Sequence, residues 1–462
     1  VKTVAVIGGG ITGLTAMYYL QKAVKADGLD VRLVLVEQNE QLGGKIKTIH
    51  EDPFIIEGGA DSIVSRKANV APFLKEIGLS DEAVYNTTGK SYIHADGQLK
   101  PIPSEALFGI PLSIQSLAES ELVSAEGKVE ALKDLYTPNT SFTKDDSIGR
   151  FLEAFLGREL VEKQIAPVLS GVYSGNLYDL TIASTLPYLL DYKNEYGSIL
   201  RGLHANKEKY LSKGDKKFLS FQTGLGRIID RLEELLEDVE IIKGAKAQSL
   251  EKTEEGYELM LMGYPAVKAD FVILSTPHQT AQQLLEDEAL QEDFSQLKNS
   301  SLISIYLGFD ISDEELPADG TGFIKAGSSS LLCNACTWTS RKWEHTSRQN
   351  RLLVRLFYKS TLESYDSLQK MSEEELTKTA LMDIEKSLGI QAEPVVSEVT
   401  KWHENMPNYH IAHHQLVKAL EEKLGASYPG VLLAGASYYG VGIPDCIANG
   451  EKTAKQIMEK LG

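Results

Sequence analysis

The sequence predicts an α/β protein built on a parallel sheet that the chain starts at once, leaves twice and completes near residue 434. Three observations carry this reading. Val4-Ala5-Val6-Ile7 runs into Gly8-Gly9-Gly10-Ile11-Thr12-Gly13 and then Leu14-Thr15-Ala16-Met17-Tyr18-Tyr19-Leu20, whose apolar positions recur at helical spacing. Val31-Arg32-Leu33-Val34-Leu35-Val36 is apolar at nearly every position, as a strand covered on both faces is, and closes at Glu37. Short strands return at Glu240 to Ile242, Tyr257 to Leu261 and Phe271 to Ser275, and again at Val431 to Ala434. The first two runs and the helix between them form a βαβ unit, and the later strands extend the same domain, which is therefore discontinuous.

The interruptions differ in character. Residues 91–214 carry longer amphipathic stretches, such as Ile148 to Leu160 and Thr185 to Tyr192, and predict a mostly helical inserted domain. Residues 276–400 mix strands (Ser301 to Phe309, Arg351 to Tyr358) with a charged helix near Glu373 to Leu388, and predict an α+β domain. A last helix begins at Pro444. The expected division is 1–75, 215–275 and 401–462 for the Rossmann-like domain, 76–90 and 276–400 for the α+β domain, and 91–214 for the helical one.

With 42% hydrophobic and 24% charged residues in 462, the chain is globular and not disordered. A net charge of −18 argues against broad attraction to nucleic acid or an anionic membrane, so an anionic ligand must meet a local basic patch. Three cysteines, Cys333, Cys336 and Cys446, are too few for a disulfide framework and suit a reducing compartment. No run approaches 18 apolar residues, and the apolar run Val4 to Ile7 goes straight into glycines, so no signal peptide is expected. A cytoplasmic protein without a transmembrane segment is expected, with peripheral membrane contact and oligomeric state left open.

Gly8-x-Gly10-x-x-Gly13 follows a strand, opens a helix and is answered by an acidic residue at the end of the next strand. The first glycine permits the turn, the second brings backbone against a pyrophosphate, and the third lets helix and strand pack. The helix N-terminus adds partial positive charge. Glu37 lies 24 positions after Gly13, close to the usual spacing of about 20, and is placed to accept from a ribose hydroxyl. The unit is thus expected to bind a dinucleotide.

Two further glycine turns, Leu42-Gly43-Gly44-Lys45 and Glu57-Gly58-Gly59-Ala60-Asp61-Ser62, exceed what a nicotinamide-binding unit needs. Together with Gly435-Ala436-Ser437-Tyr438-Tyr439-Gly440-Val441-Gly442-Ile443-Pro444-Asp445 they resemble the flavin amine oxidase superfamily. Leu169 to Gly175, Gln222-Thr223-Gly224-Leu225, Ala335-Cys336-Thr337-Trp338, Trp402, Met406-Pro407-x-Tyr409 and Gly440 to Ile447 are similar, more narrowly, to the porphyrinogen oxidases of haem biosynthesis. Within these the likeness is to the coproporphyrinogen III oxidases of Gram-positive bacteria.

The resemblance implies an FAD-binding domain, a substrate-binding domain and a helical domain. It implies a non-covalent FAD held by Gly8, Gly9, Gly10, Ile11, Thr12, Gly13, Glu37, Gly43, Gly44, Lys45, Gly58, Gly59, Ala60, Asp61, Ala247, Trp402, Val441, Gly442 and Ile443. Of these, Ala247 departs from a usual valine. The last helix would point its N-terminus at the flavin. The implied reaction is a six-electron oxidation of coproporphyrinogen III to coproporphyrin III, with hydride transfer carried by the flavin N5 and no dedicated catalytic side chain. Gly224-Leu225-Gly226 lacks a third glycine in register and no nicotinamide domain is visible, so dioxygen is the expected acceptor and peroxide the by-product. Four substrate propionates call for cations, and Arg66 and Lys67 follow the third glycine turn; the resemblance singles out Lys67.

Protoporphyrinogen IX oxidase stays open as an alternative, with carotenoid desaturase and amine oxidase more distant. A non-enzymatic escort for prenylated proteins shares the fold without the flavin. Cys333-x-x-Cys336 lacks a second pair and reads as buried or incidental thiols. His410-x-x-His413-His414 lacks an acidic or cysteine partner and reads as a solvated helix start, so no metal is expected. Ala106 to Leu112 is too short to span a bilayer and has no basic flank.

Overall fold

Val4, Ala5 and Val6 have no exposed surface, so Lys2–Ile7 is covered on both faces, as the middle strand of a parallel sheet must be. In the computed structural model this strand is the centre of five, in the order Glu240–Ile242, Val31–Val36, Lys2–Ile7, Phe271–Leu274, Val431–Leu433. All pairings are parallel, with Val4 opposite Leu33 on one side and Phe271 on the other. Residues 1–173, 175–211, 217–410 and 412–462 are described. Ser174, in the segment Leu169 to Gly175, and position 215, an expected domain boundary, lie outside them. The sequence reading drew three domains; the chain separates into two compact units, 1–86 with 216–300 and 403–462, and 87–215 with 301–402.

In the first unit the helix Ile11–Asp27 starts at Gly10 and stops at Gly28, which takes the left-handed conformation that ends helices. It buries Leu14, Met17 and Leu20 and packs along the last helix, Ile443–Leu461, which contributes Ile447, Ala454 and Ile457. Each fully buried side chain of this size contributes about 1.5–3 kcal/mol. Where the helices cross, Gly450 stands on backbone: a Cβ there would lie 2.7 Å from the Thr12 carbonyl oxygen. The unit is completed by the hairpin Thr48–Glu51 with Phe54–Glu57, the antiparallel meander Ala247–Thr253, Gly256–Leu261 and Tyr264–Ala269, and a small sheet of Ile63–Val64, Phe218–Phe221 and Ala83–Tyr85.

The second unit holds a seven-stranded mixed sheet in the order Pro394–Asn408, Lys298–Ser312, Arg351–Lys359, Ala335–Thr337, Gly322–Lys325, Ser91–Ala95, Gln98–Pro101. The helix Glu373–Leu388 matches its sequence expectation because its signals are local: a Ser372/Glu375 capping box and a left-handed Gly389. Two local signals went unread. Asp96-Gly97, both with positive φ, joins Ser91–Ala95 to Gln98–Pro101 as a two-residue hairpin inside the stretch taken as mostly helical. Gly157, at φ 83°, divides the expected helix over Ile148 to Leu160 into Ile148–Leu156 and Arg158–Leu160.

One ion pair anchors the helical part of this unit. Lys193 and Asp134 have fully buried side chains. The ammonium donates to Asp134 Oδ1 and the Asp134 carbonyl at 2.8 Å each, and to the Gly197 carbonyl at 3.1 Å. The carboxylate also accepts from Ser198 Oγ and from the amides of Ile199 and Leu200. With every donor and acceptor met, the desolvation cost is offset; with one partner removed, it is not. Asp134→Ala is expected to destabilise the protein by about 3–5 kcal/mol, and the double variant with Lys193→Met by clearly less. Urea denaturation of both variants checks this, and equal losses would refute the coupling.

Candidate cofactor-binding site

The site is built in the first unit by glycine turns that hydrogen-bond to one another. Gly13 faces the carbonyl of Gly8 so closely that a Cβ would sit 2.0 Å from its oxygen; the helix begins flush against the end of the strand. The Gly43 amide donates to the Gly9 carbonyl at 2.8 Å, and Gly10 and Gly43 form a parallel bridge. The Ala60 amide donates to the Lys45 carbonyl at 2.9 Å, and the Gly58 amide to that of Lys47 at 2.8 Å. The three glycine turns of the first 61 residues thus lie side by side.

Gly224 lies against Thr48 and Glu57 of the hairpin Thr48–Glu51 with Phe54–Glu57. Its amide-linked neighbour Leu225 donates to Glu57 Oε1 at 2.7 Å, and the Gly226 amide donates to Thr48 Oγ1 at 2.7 Å. Gly224-Leu225-Gly226 is therefore a brace for the hairpin.

Above the first turn there is room. A Cβ on Gly10 would meet nothing within 4 Å, and Gly10 has an ordinary φ of −75°. The helix it starts carries no acidic residue in its first turn, so its amides present an uncompensated partial positive charge. Bare backbone, open space and a helix N-terminus together suit a pyrophosphate.

Glu37 is 6% exposed. Its Oε2 accepts from the Gly9 amide at 2.7 Å, and its Oε1 from the Asn39 amide and side chain at 2.9 and 3.0 Å. A carboxylate has about four acceptor positions, so one on Oε2 remains for a ligand hydroxyl. The Gly244 and Ala245 amides donate to the carbonyls of Asn39 and Glu37, which draws Ala247, two residues on, toward the same end of the sheet. Ala247 itself is half-buried.

Lys45 is the basic group of the second turn. Burial pushes its ammonium down to about 8, with only the nearby Cys446 thiol acting in the opposite direction. Burial likewise holds His278 down at about 4, reinforced by His413 and Lys45, and lowers His413. The Cys446 thiol is raised by burial, against a hydrogen bond from Thr12 and the charge of Lys45. Thr12, Lys45 and Cys446 are in this way brought together.

The closing segment arrives from the other end of the chain. Gly435 donates its amide to Asn449 Oδ1 at 2.8 Å, Gly442 caps the last helix with Pro444 in its first turn, and Val441 is 58% exposed. Arg66 and Lys67 are exposed. Lys67 Nζ lies 3.5 Å from Asp445 Oδ1, and Asn69 Nδ2 donates to the Pro444 carbonyl at 2.8 Å. Trp402 is half-buried in Pro394–Asn408 and ends the second unit.

The sequence reading missed Asn449 and misjudged His413. His413 does open a helix, His413–Ser427, but it is 2% exposed and not solvated. It precedes Leu416, Val417 and Leu420 at helical spacing, all buried, and that periodicity placed it on the inward face. Among the described residues no group of three or more His, Cys, Asp or Glu could hold a metal ion. Cys333 and Cys336 are buried free thiols, raised by burial and by Asp383.

This is the architecture of an FAD-dependent oxidoreductase: a family described as flavin containing amine oxidoreductase matches residues 11–458, and the chain belongs to it. Over its whole length it is 34% identical to the coproporphyrinogen III oxidase of Bacillus subtilis (strain 168), covering 98% of that protein. It is 31% identical to the coproporphyrinogen III oxidase of Staphylococcus aureus (strain NCTC 8325 / PS 47), covering all of both. A solved structure from Exiguobacterium sp. 255-15 superposes with a TM-score of 0.89, at 33% identity and 99% coverage of both chains. The α/β fold class and the flavin cofactor expected from the sequence are borne out.

Two outcomes are expected at this site. Gly10→Val leaves the fold intact, because its Cβ meets no atom, yet fills the space over the turn; the purified variant should lack the flavin absorption of the wild type. A stoichiometric flavin spectrum would refute the placement. Second, a pyrophosphate beside Lys45 would favour its charged form, so binding would take up a proton where the free chain has lost one. FAD affinity should be flat with pH below about 8 and fall above it by up to about tenfold per unit, and Lys45→Met should remove the slope.

Proposed function

We propose that this chain oxidises coproporphyrinogen III to coproporphyrin III, removing six electrons and six protons and passing the electrons to dioxygen with release of hydrogen peroxide. The observation that carries the reading is full-length similarity to two proteins of that name. The resemblance of Leu169 to Gly175 and of Gly440 to Ile447 to the same family supports it. Three free, buried thiols suit a reducing compartment such as the cytoplasm.

When bound, the flavin supplies the two-electron oxidant. The chain supplies position and field. Gly8 to Gly13 and the helix behind them hold the pyrophosphate, Glu37 accepts from the ribose, and the segment at Ala247 meets the adenine. Lys45 stands at the pyrophosphate from the second turn, and Gly58 to Asp61, Val441, Gly442 and Ile443 line the remainder of the cofactor. Loss of a hydride from a methylene bridge leaves the substrate cationic, and the pyrrole N–H of that cation is acidic enough for water to take, so no general base is assigned.

Arg66 and Lys67 are read as propionate contacts. Lys67 and its partner Asp445 are 53% and 41% exposed, and such a pair is worth about 0–1 kcal/mol. Exchanging that carboxylate for a substrate propionate therefore costs little.

The test is side-by-side turnover of coproporphyrinogen III and protoporphyrinogen IX, followed by product fluorescence, with oxygen and peroxide measured together. Faster turnover of the four-propionate substrate is expected, with about three oxygen molecules consumed and three peroxides released per porphyrin, one for each two-electron cycle. Preference for protoporphyrinogen would overturn the substrate assignment, and turnover without oxygen uptake would overturn the acceptor.

A further inference from the structure

Gly435–Gly442 has little structure of its own. Two of its glycines take positive φ, 102° at Gly435 and 120° at Gly440, and its internal backbone bonds are those of a single turn, from the Tyr438 and Tyr439 amides to the Gly435 carbonyl. Its shape is imposed from outside. Asn449 takes the Gly435 amide, the His278 amide donates to Ser437 Oγ at 3.1 Å, and the Tyr439 phenol donates to Glu421 Oε1 at 2.5 Å.

Tyr409 spans the loop. Its hydroxyl donates to the Ala436 carbonyl at 2.5 Å and accepts from the Gly440 amide at 2.7 Å. One oxygen thus ties together two backbone positions four residues apart. Tyr409 is held in turn by His413, whose ring stacks on it with centroids 3.8 Å apart and planes 13° from parallel. His413 Nε2 lies 3.1 Å from the Tyr438 carbonyl, an acceptor only, so the neutral ring carries its proton there and donates. Burial keeps the ring neutral and the phenol protonated, as both bonds require.

We propose that Tyr409 and His413 are positioning residues that clamp the closing loop Gly435–Gly442 in the shape that retains the flavin and aims the N-terminus of the last helix at it. This rests on the reading that the loop faces the flavin. Without the phenol, the Ala436 carbonyl and the Gly440 amide lose their shared partner, and the loop must move to reach water.

The test is FAD titration of the apoprotein, together with the sulfite affinity of the reloaded protein, because sulfite addition places negative charge on the flavin and reports the positive field around it. Tyr409→Phe keeps the ring stack and removes both hydrogen bonds; it should weaken FAD binding roughly tenfold and sulfite binding several-fold. His413→Ala should act in the same direction, and His413→Gln, which restores a donor, should recover part of the loss. Tyr257→Phe, which removes a phenol bonded to the Pro429 carbonyl elsewhere in the same unit, should change neither value.

Gly440→Ala separates the two readings, since a Cβ there would lie 2.6 Å from Asp445 Cβ and distort the loop directly. If Gly440→Ala weakens both affinities while Tyr409→Phe does not, the clamp is refuted and the loop's place at the flavin stands. If neither variant has an effect, both are refuted. Should Tyr409→Phe fail to fold, hydrogen exchange of the wild type decides: the Gly440 amide should be protected like a helix interior, and exchange at the rate of an open loop would refute the clamp.

Discussion

The first unit depends on backbone meeting backbone with nothing between. Gly13 against the Gly8 carbonyl sets the helix Ile11–Asp27 flush on the central strand, and Gly450 against the Thr12 carbonyl sets the last helix flush on the first. A methyl group at either place would have to displace main chain, since both contacts are already closer than a Cβ can approach. These two contacts fix where the amides at the start of the first helix point. The open space over Gly10 is useful because its surroundings are so tightly determined.

The electrostatics follow the same economy. A chain with a net charge of −18 must keep its own carboxylates from competing with an anionic cofactor. Glu37 is occupied by three donors, Glu57 by the Leu225 amide and Thr48, and Asp445 by Lys67. What remains uncompensated is basic or dipolar: Lys45, held low by burial, and the N-terminus of a helix with no acid in its first turn. A partly desolvated ammonium gains more from an anion placed beside it than a solvated one does.

Much of this was legible in the sequence, and the reason lies in how local each signal is. Val4 to Ile7, the glycines at 8, 10 and 13, and Glu37 announce a strand, a turn, a helix and an acidic strand end within 37 residues. Ser372, Glu375 and Gly389 mark both ends of one helix without tertiary context. Pro394–Asn408 was hidden because few of its side chains are deeply buried and it shows no apolar alternation. The partnership of Asn449 with Gly435 joins residues 14 apart through a fold neither announces. His413 was misread as a solvated ligand candidate because its chemistry drew more attention than its spacing to Leu416, Val417 and Leu420.

The placement of the closing strand and helix also sets an order of events. The first glycine turn, Glu37 and the second turn are all made before residue 46, but the fifth strand of their sheet is Val431–Leu433 and the cover of their helix is Ile443–Leu461. Until those residues are made, the side of Ile11–Asp27 that packs along Ile443–Leu461 is uncovered. Domains that form from contiguous sequence can settle as they emerge; this one closes only when Val431–Leu433 joins the sheet and Ile443–Leu461 covers the first helix, about four hundred residues after the first strand.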